Sequence, residues 1–328
     1  MAKPHLTEQQ TYAGDSAVHV SVDRLLQLRH IGSGVQLHAR KRTQSSIDGD
    51  LATRFRGRGM EFAEVRPYHA GDDIRNIDWR VTARTQKTHT KLFQEERERP
   101  VFIVVDQRAS MFFGTQSVFK SVYAAELAAC IGWGAMANND RIGALIFGDN
   151  DQKDLRPKRG KHAMLAFLHQ LQVFNNALNS PICTRATHSI TQQLEDISRI
   201  AKPGSAIYVI SDFHDFNVAD PTNAAQRALR HLSKHTDVNL CMVYDPFEMN
   251  LPRHRAITLS DGEHRLDLNA TNRQTAQHYH MQFNNHLEQV RTGARQSGAS
   301  FRELDITTHL ERALNDLFLL SGRKRSSK

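Results

Sequence analysis

Cysteine is scarce: the 328 residues hold three, Cys130, Cys183 and Cys241, far apart and with no CxxC pair. That excludes a disulfide scaffold and a four-thiolate zinc site. Cys130 and Cys241 lie in apolar stretches and are expected as small buried hydrophobes. Long hydrophobic runs are missing too. The longest nearly apolar stretch, VYAAELAACIGWGAMA at 122–137, contains Glu126 and falls short of the ~20 residues a spanning helix needs. The opening MAKPHLTEQQTYAGDSAVHV lacks the apolar centre of a signal peptide. These absences predict a reduced, cytoplasmic protein with no membrane insertion. Walker A, GxGxxG, GxSxG and HExxH patterns are also missing, and GTQSVFK at 114–120 does not complete a phosphate loop. This counts against nucleotide hydrolysis by the chain itself.

What is present begins with charge. The net charge is +8, but it is unevenly placed. Residues 24–58 hold eight basic side chains against Asp48 and Asp50, and 322–328 add four more. The remainder is slightly acidic. A basic end is ordinarily a solvated surface. Nucleic-acid binding through Arg40-Lys41-Arg42 and Arg54, Arg56 and Arg58 is the alternative for segment 24–58. It is disfavoured because only Phe55 is near enough to stack on bases.

The patterning divides the chain. Residues 1–20 show no periodicity and read as a mobile tail. VDRLLQLRHI at 22–31 reads as a short amphipathic helix ended by Gly32-Ser33-Gly34. Residues 53–98 alternate briefly between glycines and read as short strands and turns. From 100 onward, VFIVVD (101–106), IGALIF (142–147), AIYVISD (206–212) and VNLCMVYD (238–245) are continuous apolar runs of the buried-strand type. Helical stretches separate them at about 117–138, 161–175, 189–201 and 222–235. A hairpin over 256–268, a helix over 272–296, a strand at 300–304 and a helix at 307–320 complete the chain. Strand–helix alternation predicts a doubly wound α/β domain over 100–320, a helix plus β-rich module over 21–99, and a basic tail at 321–328. Ligands of such sheets sit at the carboxyl ends of the strands, where Asp106, Asp212 and Asp245 fall.

Two blocks carry a family resemblance. One is RGRGMEFAEVRPYHAGDDIRNIDWRVTART at 56–85, with Gly59, Glu61, Phe62, Arg66, Tyr68, Gly71, Asp72, Asp73, Arg75, Asp78, Trp79 and Arg84. The other runs from VFIVVDQRASM at 101–111 through VISDF at 209–213 to DPFEMNLP at 245–252. Over about 55–310 the sequence resembles the domain-of-unknown-function 58 family, whose members carry a von Willebrand factor A-like domain. The resemblance implies that Rossmann-like α/β fold with a small β-rich N-terminal module. It also implies partnership with a MoxR-type AAA+ ATPase and a client protein, in protein maturation, remodelling or metal-centre insertion. It implies no enzymatic activity.

The A-type domain also implies a Mg²⁺ site made from Asp-x-Ser-x-Ser, a later Thr and a later Asp. The matching positions are Asp106, Ser110, Thr187 (with Thr184 as rival) and Asp212. Arg108 stands at the middle serine, which removes an oxygen ligand and adds a cation. Two arrangements are open. Arg108 points away and a weakened Mg²⁺ site survives, or its guanidinium forks onto Asp106 or Asp212 as counter-charge. In a third, blander case Ser110 and Thr187 only cap helices and Asp106 only satisfies backbone N–H groups.

In the signature block, Asp72, Asp73 and Asp78 alternate with Arg66, Arg75, Arg80 and Arg84. A metal-dependent hydrolase on the three aspartates is one reading. A structural ion-pair network, with Trp79 and Tyr68 packed in, is the favoured one. The function expected is a non-enzymatic adaptor acting through the Asp106/Asp212 edge, with the family-signature surface as a second contact region.

Overall fold

The computed structural model describes residues 15–35, 60–69, 71–95, 100–178, 187–217, 224–251, 256–260, 265–269 and 273–319. Thr184, the Arg40-Lys41-Arg42 run, Arg54, Phe55, Arg56, Arg58 and the tail 321–328 lie outside them, as does the Glu61 side chain. The chain separates into two compact units: residues 1–41 with 99–328, and residues 42–98.

The N-terminal helices are α1 (Asp15–Val18), α2 (Val22–Gln27) and α3 (Arg29–Gly32). Ser21 caps α2 by accepting the Arg24 N–H. The sequence drew the first module from 21, but these helices belong to the α/β unit. Their apolar face, with Leu25 and Leu28, packs into its core. Buried polar ties reinforce this: Trp133 Nε1 donates to Leu25 O at 2.9 Å, and Val20 N donates to Asn175 Oδ1 at 2.7 Å.

The small unit has β1 (Met60–Pro67), a 3₁₀ turn at Ile74–Asn76, α4 (Trp79–Thr85) and β2 (His89–Glu95), with β1 and β2 antiparallel. The sequence read only strands and turns here. Asp78 makes the helix by accepting the Arg80 and Val81 N–H groups, two donors that the first turn of a helix otherwise leaves unpaired.

The α/β unit continues with β3 (Val101–Asp106), a 3₁₀ turn at Ala109–Met111, α5 (Lys120–Ala137), β4 (Ile142–Phe147), β5 (Gln152–Lys158), α6 (Lys161–Asn176), α7 (Ile190–Ile200), β6 (Ala206–Ser211), α8 (Ala224–Ser233), β7 (Asp237–Tyr244), α9 (Pro246–Met249), the hairpin β8 (Ala256–Ser260) and β9 (Arg265–Asn269), α10 (Arg273–Ser297), β10 (Ser300–Asp305) and α11 (Leu310–Leu319). Six strands form one sheet in the order β10-β7-β6-β3-β4-β5, parallel except for the antiparallel edge β5. The protein is thus a mixed α/β fold around a mostly parallel sheet.

Both faces of the sheet's centre are covered, which is why β3, β4 and β6 read as apolar runs. In β3, Val101, Ile103 and Val105 enter the core beneath α5 and α6, whereas Phe102 and Val104 enter the one beneath α7, α8 and α10. Burying each such side chain contributes about 1.5–3 kcal/mol. Helix α5 is buried nearly all round. Its single deep acid, Glu126, meets Arg24 Nε at 2.6 Å. Cys130 and Cys241 are buried, and burial pushes the Cys241 thiol up to about 12. Among the described residues no helix is long and apolar enough to cross a membrane.

Candidate functional site

Strand order positions the site. From β3 the chain steps to β4 and β5 on one side, then returns to β6 on the other. The carboxyl ends of β3 and β6 therefore flank the point where the winding reverses, the place where open α/β sheets present a crevice. Register brings Val105 beside Ile210, so Asp106 and Ser211 emerge as neighbours. The Ser211 hydroxyl donates to Asp106 Oδ2 at 2.6 Å.

Arg108 decides the character of this edge. Its side chain is 1% exposed and forks onto Asp106, with Nε to Oδ1 at 3.0 Å and Nη2 to Oδ2 at 2.7 Å. The second carboxylate it binds is Asp215, not Asp212: Nη1 donates to Oδ2 at 2.9 Å and Nη2 to Oδ1 at 3.0 Å. Nη1 also donates to His188 O at 3.3 Å, so each guanidinium nitrogen has an acceptor. The guanidinium carbon stands 5.1 Å from the centroid of the Phe147 ring. Burial alone would lower the Arg108 pKa, but the charges and hydrogen bonds of Asp106 and Asp215 outweigh it and raise it. Burial would raise that of Asp215, and Arg108 instead holds it below the usual carboxylate range.

A second buried cation serves Asp212. Lys120, at the first turn of α5, donates from Nζ to Asp212 Oδ2 at 3.1 Å and to Glu248 Oε1 at 2.7 Å. Despite burial, the Lys120 charge holds Asp212 well below its ordinary range, with His214 helping. His214 is half-exposed, and its Nδ1 lies 3.1 Å from Asp212 Oδ1. Burial opposes its charge, but Asp212 prevails and raises its pKa. Asp245 is spent on structure. It caps α9 in a reciprocal capping box with Glu248 and accepts the Thr115 hydroxyl at 2.8 Å. Sequence reasoning missed Lys120 and Asp215, and it read His214 as a surface histidine. Asp215 had a visible cue, lying three residues after Asp212 in DFHD.

These residues do not fit Mg²⁺, which needs about six oxygens in octahedral array. Asp106 already accepts the Arg108 N–H and Nε at Oδ1, and Arg108 Nη2 and Ser211 Oγ at Oδ2. Its roughly four lone-pair positions are filled. Thr187 hands its hydroxyl proton to Asp149 O at 2.9 Å, and Asp149 itself accepts the Ala109 N–H. Only the Ser110 hydroxyl, buried and without a hydrogen-bond partner, remains unspent. Of the two arrangements the sequence left open for Arg108, the geometry selects the counter-charge.

In the small unit the signature residues work locally. Asp72 accepts the His69 N–H and pairs with Arg66 at 2.7 Å, and these contacts lower its pKa. Asp73 caps the 3₁₀ turn by accepting the Arg75 N–H. The backbone N–H of Val81 and the charge of Lys91, 3.6 Å away, lower that of Asp78. The expected network is therefore smaller than foreseen: Arg75, Arg80 and Arg84 meet no carboxylate among the described residues. Trp79 stands exposed where the sequence predicted packing, while Tyr68 is half-buried. Among the described residues no three His, Cys, Asp or Glu side chains form a group able to hold a metal, so Asp72, Asp73 and Asp78 do not form a metal centre.

Comparison with known proteins matches residues 64–289 to the family described as protein of unknown function DUF58. Uncharacterized proteins of Mycobacterium bovis and Mycobacterium tuberculosis are 28% identical over 229 residues, covering 70% of this chain and 69% of theirs. Among solved structures, the conserved hypothetical protein BatB from Bacteroides thetaiotaomicron aligns with a TM-score of 0.42 at 16% identity, over 69% of this chain and 100% of that one. An aerotolerance-related membrane protein from Bacteroides fragilis aligns at 0.40 with 18% identity, over 68% and 99%.

Proposed function

The chain belongs to the DUF58 family, and from that premise we propose that it is a non-enzymatic, cytoplasmic protein-binding adaptor. It acts with a MoxR-type AAA+ ATPase on a client protein during maturation or remodelling. Its large unit is taken as a von Willebrand factor A-like domain whose metal site has been replaced by internal cations. The observation that carries the reading is the seating of Arg108 between Asp106 and Asp215, with Lys120 between Asp212 and Glu248.

Catalysis by such an edge would call for a group free to give or take a proton or to attack. Here the aspartates are tied to fixed cations and backbone donors. What remains is a rigid, charged relief with half-exposed His214 at its rim. Rigid polar relief suits recognition, because complementary charges select partners and orient them. In this reading the edge docks without recruiting a metal, so binding persists in chelator.

Two measurements test the proposal. Affinity capture of the tagged protein from its native host should recover an AAA+ ATPase in the presence of chelator, and the protein should change that ATPase's turnover. Recovery of no such ATPase, together with an unaltered rate for one supplied from the same host, would refute it. The metal-dependent hydrolase alternative draws no support from Asp72, Asp73 and Asp78, each of which serves its own turn or cap.

A further inference from the structure

We infer that the exposed face of α4 and the turn before it form a docking site for an acidic, partly apolar segment of a partner protein. The argument begins with an imbalance. Residues 60–95 contain six acidic and six basic side chains, so this stretch is neutral by count. The charges are not equally available. Asp72, Asp73 and Asp78 are engaged by the backbone donors of His69, Arg75, Arg80 and Val81, although Asp73 stays exposed. Arg75, Arg80 and Arg84 are exposed and meet no carboxylate among the described residues. Local folding occupies these three aspartates and leaves the three guanidinium groups outward.

The same face carries apolar surface. Trp79 is 70% exposed and Ile74 67%, the most exposed large hydrophobic side chains among the described residues. In a helix, residues three and four apart are neighbours, so Trp79 lies beside Ala83, and Arg80 beside both Ala83 and Arg84. The inward face is different: Thr82 accepts the His89 N–H through its hydroxyl, and Val81 is half-buried. Arg80 and Arg84 are like charges at i,i+4, an arrangement that disfavours an isolated helix. An exposed tryptophan flanked by arginines is the composition found at the centre of binding patches.

A protein segment fits this face better than nucleic acid does. The face's three outward arginines are few beside the ~6–10 phosphate contacts of a strongly salt-dependent nucleic-acid binder. It offers one exposed aromatic, whereas single-strand binding grooves stack successive bases on several. Ile74 suits an aliphatic or aromatic side chain. Aspartate or glutamate residues spaced around an apolar anchor would meet the arginines as bidentate pairs.

The chain has two tryptophans, and Trp133 is buried in the α/β unit, so emission changes on binding report chiefly on Trp79. The full-length protein is titrated with a peptide of repeating Asp-Asp-Leu units. The expected result is saturable binding with a blue shift of tryptophan emission. R80A/R84A should weaken it about tenfold, and W79F should keep binding but lose most of the shift. The exposed pair R227A/R230A, on α8, serves as a surface-charge control and should bind as the parent does. Circular dichroism establishes that the variants are folded. Absence of saturable binding, or equal weakening by the control pair, overturns the site. An oligothymidylate of equal charge that binds as tightly and is weakened by the same variants would make it a nucleic-acid site instead. The adaptor role tested above stands or falls separately.

Discussion

At the residue scale, Arg108 is the most consequential side chain of the candidate site. Removing one partner of a buried ion pair leaves an uncompensated charge, at a cost of about 3–5 kcal/mol. Arg108→Ser should therefore lower the melting temperature, and it also returns a hydroxyl two residues after Asp106. Added Mg²⁺ should recover part of that loss in the variant and leave the parent unmoved. Equal stabilisation of both in thermal scans would mean that the guanidinium never displaced a metal. His214 supports a second expectation. Asp212 raises its pKa, so its contribution to stability is complete below the unfolded value of ~6.5 and disappears as pH rises through the higher folded value. The charged groups acting with it are Asp212, Asp215, Arg108 and Asp149. His214→Asn should erase that alkaline decline. A parent whose melting temperature is flat from pH 6 to 8 would contradict the assignment.

At the element scale, legibility followed burial. Strands β3, β4, β6 and β7 are readable because both faces are covered, so polar residues are few within them, Asn239 of β7 being one. The edge strand β5, QKDLRPK, escaped notice because its charges and Pro157 suit an edge rather than a core. Helix α4 is only seven residues long, too short for periodicity to register. Asp106 and Asp212 could be picked out because each ends an apolar run. Their partners could not: Lys120 lies 92 residues from Asp212, and Asp215 lies 107 from Arg108. Such pairings are set by strand order, which one-dimensional pattern does not encode. Helices α2 and α3 give a test at this scale. A Cβ on Gly32 would lie 2.5 Å from Cys130 O and 2.6 Å from Trp133 Cβ, against backbone that cannot yield. Gly32→Ala should cost about 1–3 kcal/mol and loosen these helices. Denaturant titration with limited proteolysis reads both effects; unchanged midpoint and cleavage pattern would show that α3 sits further from α5.

At the scale of the whole molecule, the α/β unit encloses its own two cores, and the small unit is an insertion between α3 and β3. Replacing residues 42–98 with a glycine–serine linker should leave one cooperative thermal transition and an intact Arg108–Asp106 site. Loss of cooperative melting would show that the large unit depends on the insertion. The insertion also has a temporal side. Leu25 accepts from Trp133, 108 residues downstream. At roughly 5–20 residues per second, the first helices leave the ribosome ~5–20 s before the surface they will cover. For that interval their apolar residues are open to chaperones and proteases. Nascent chains arrested before Ala137 should be clipped around Leu25, and chains released at full length should resist.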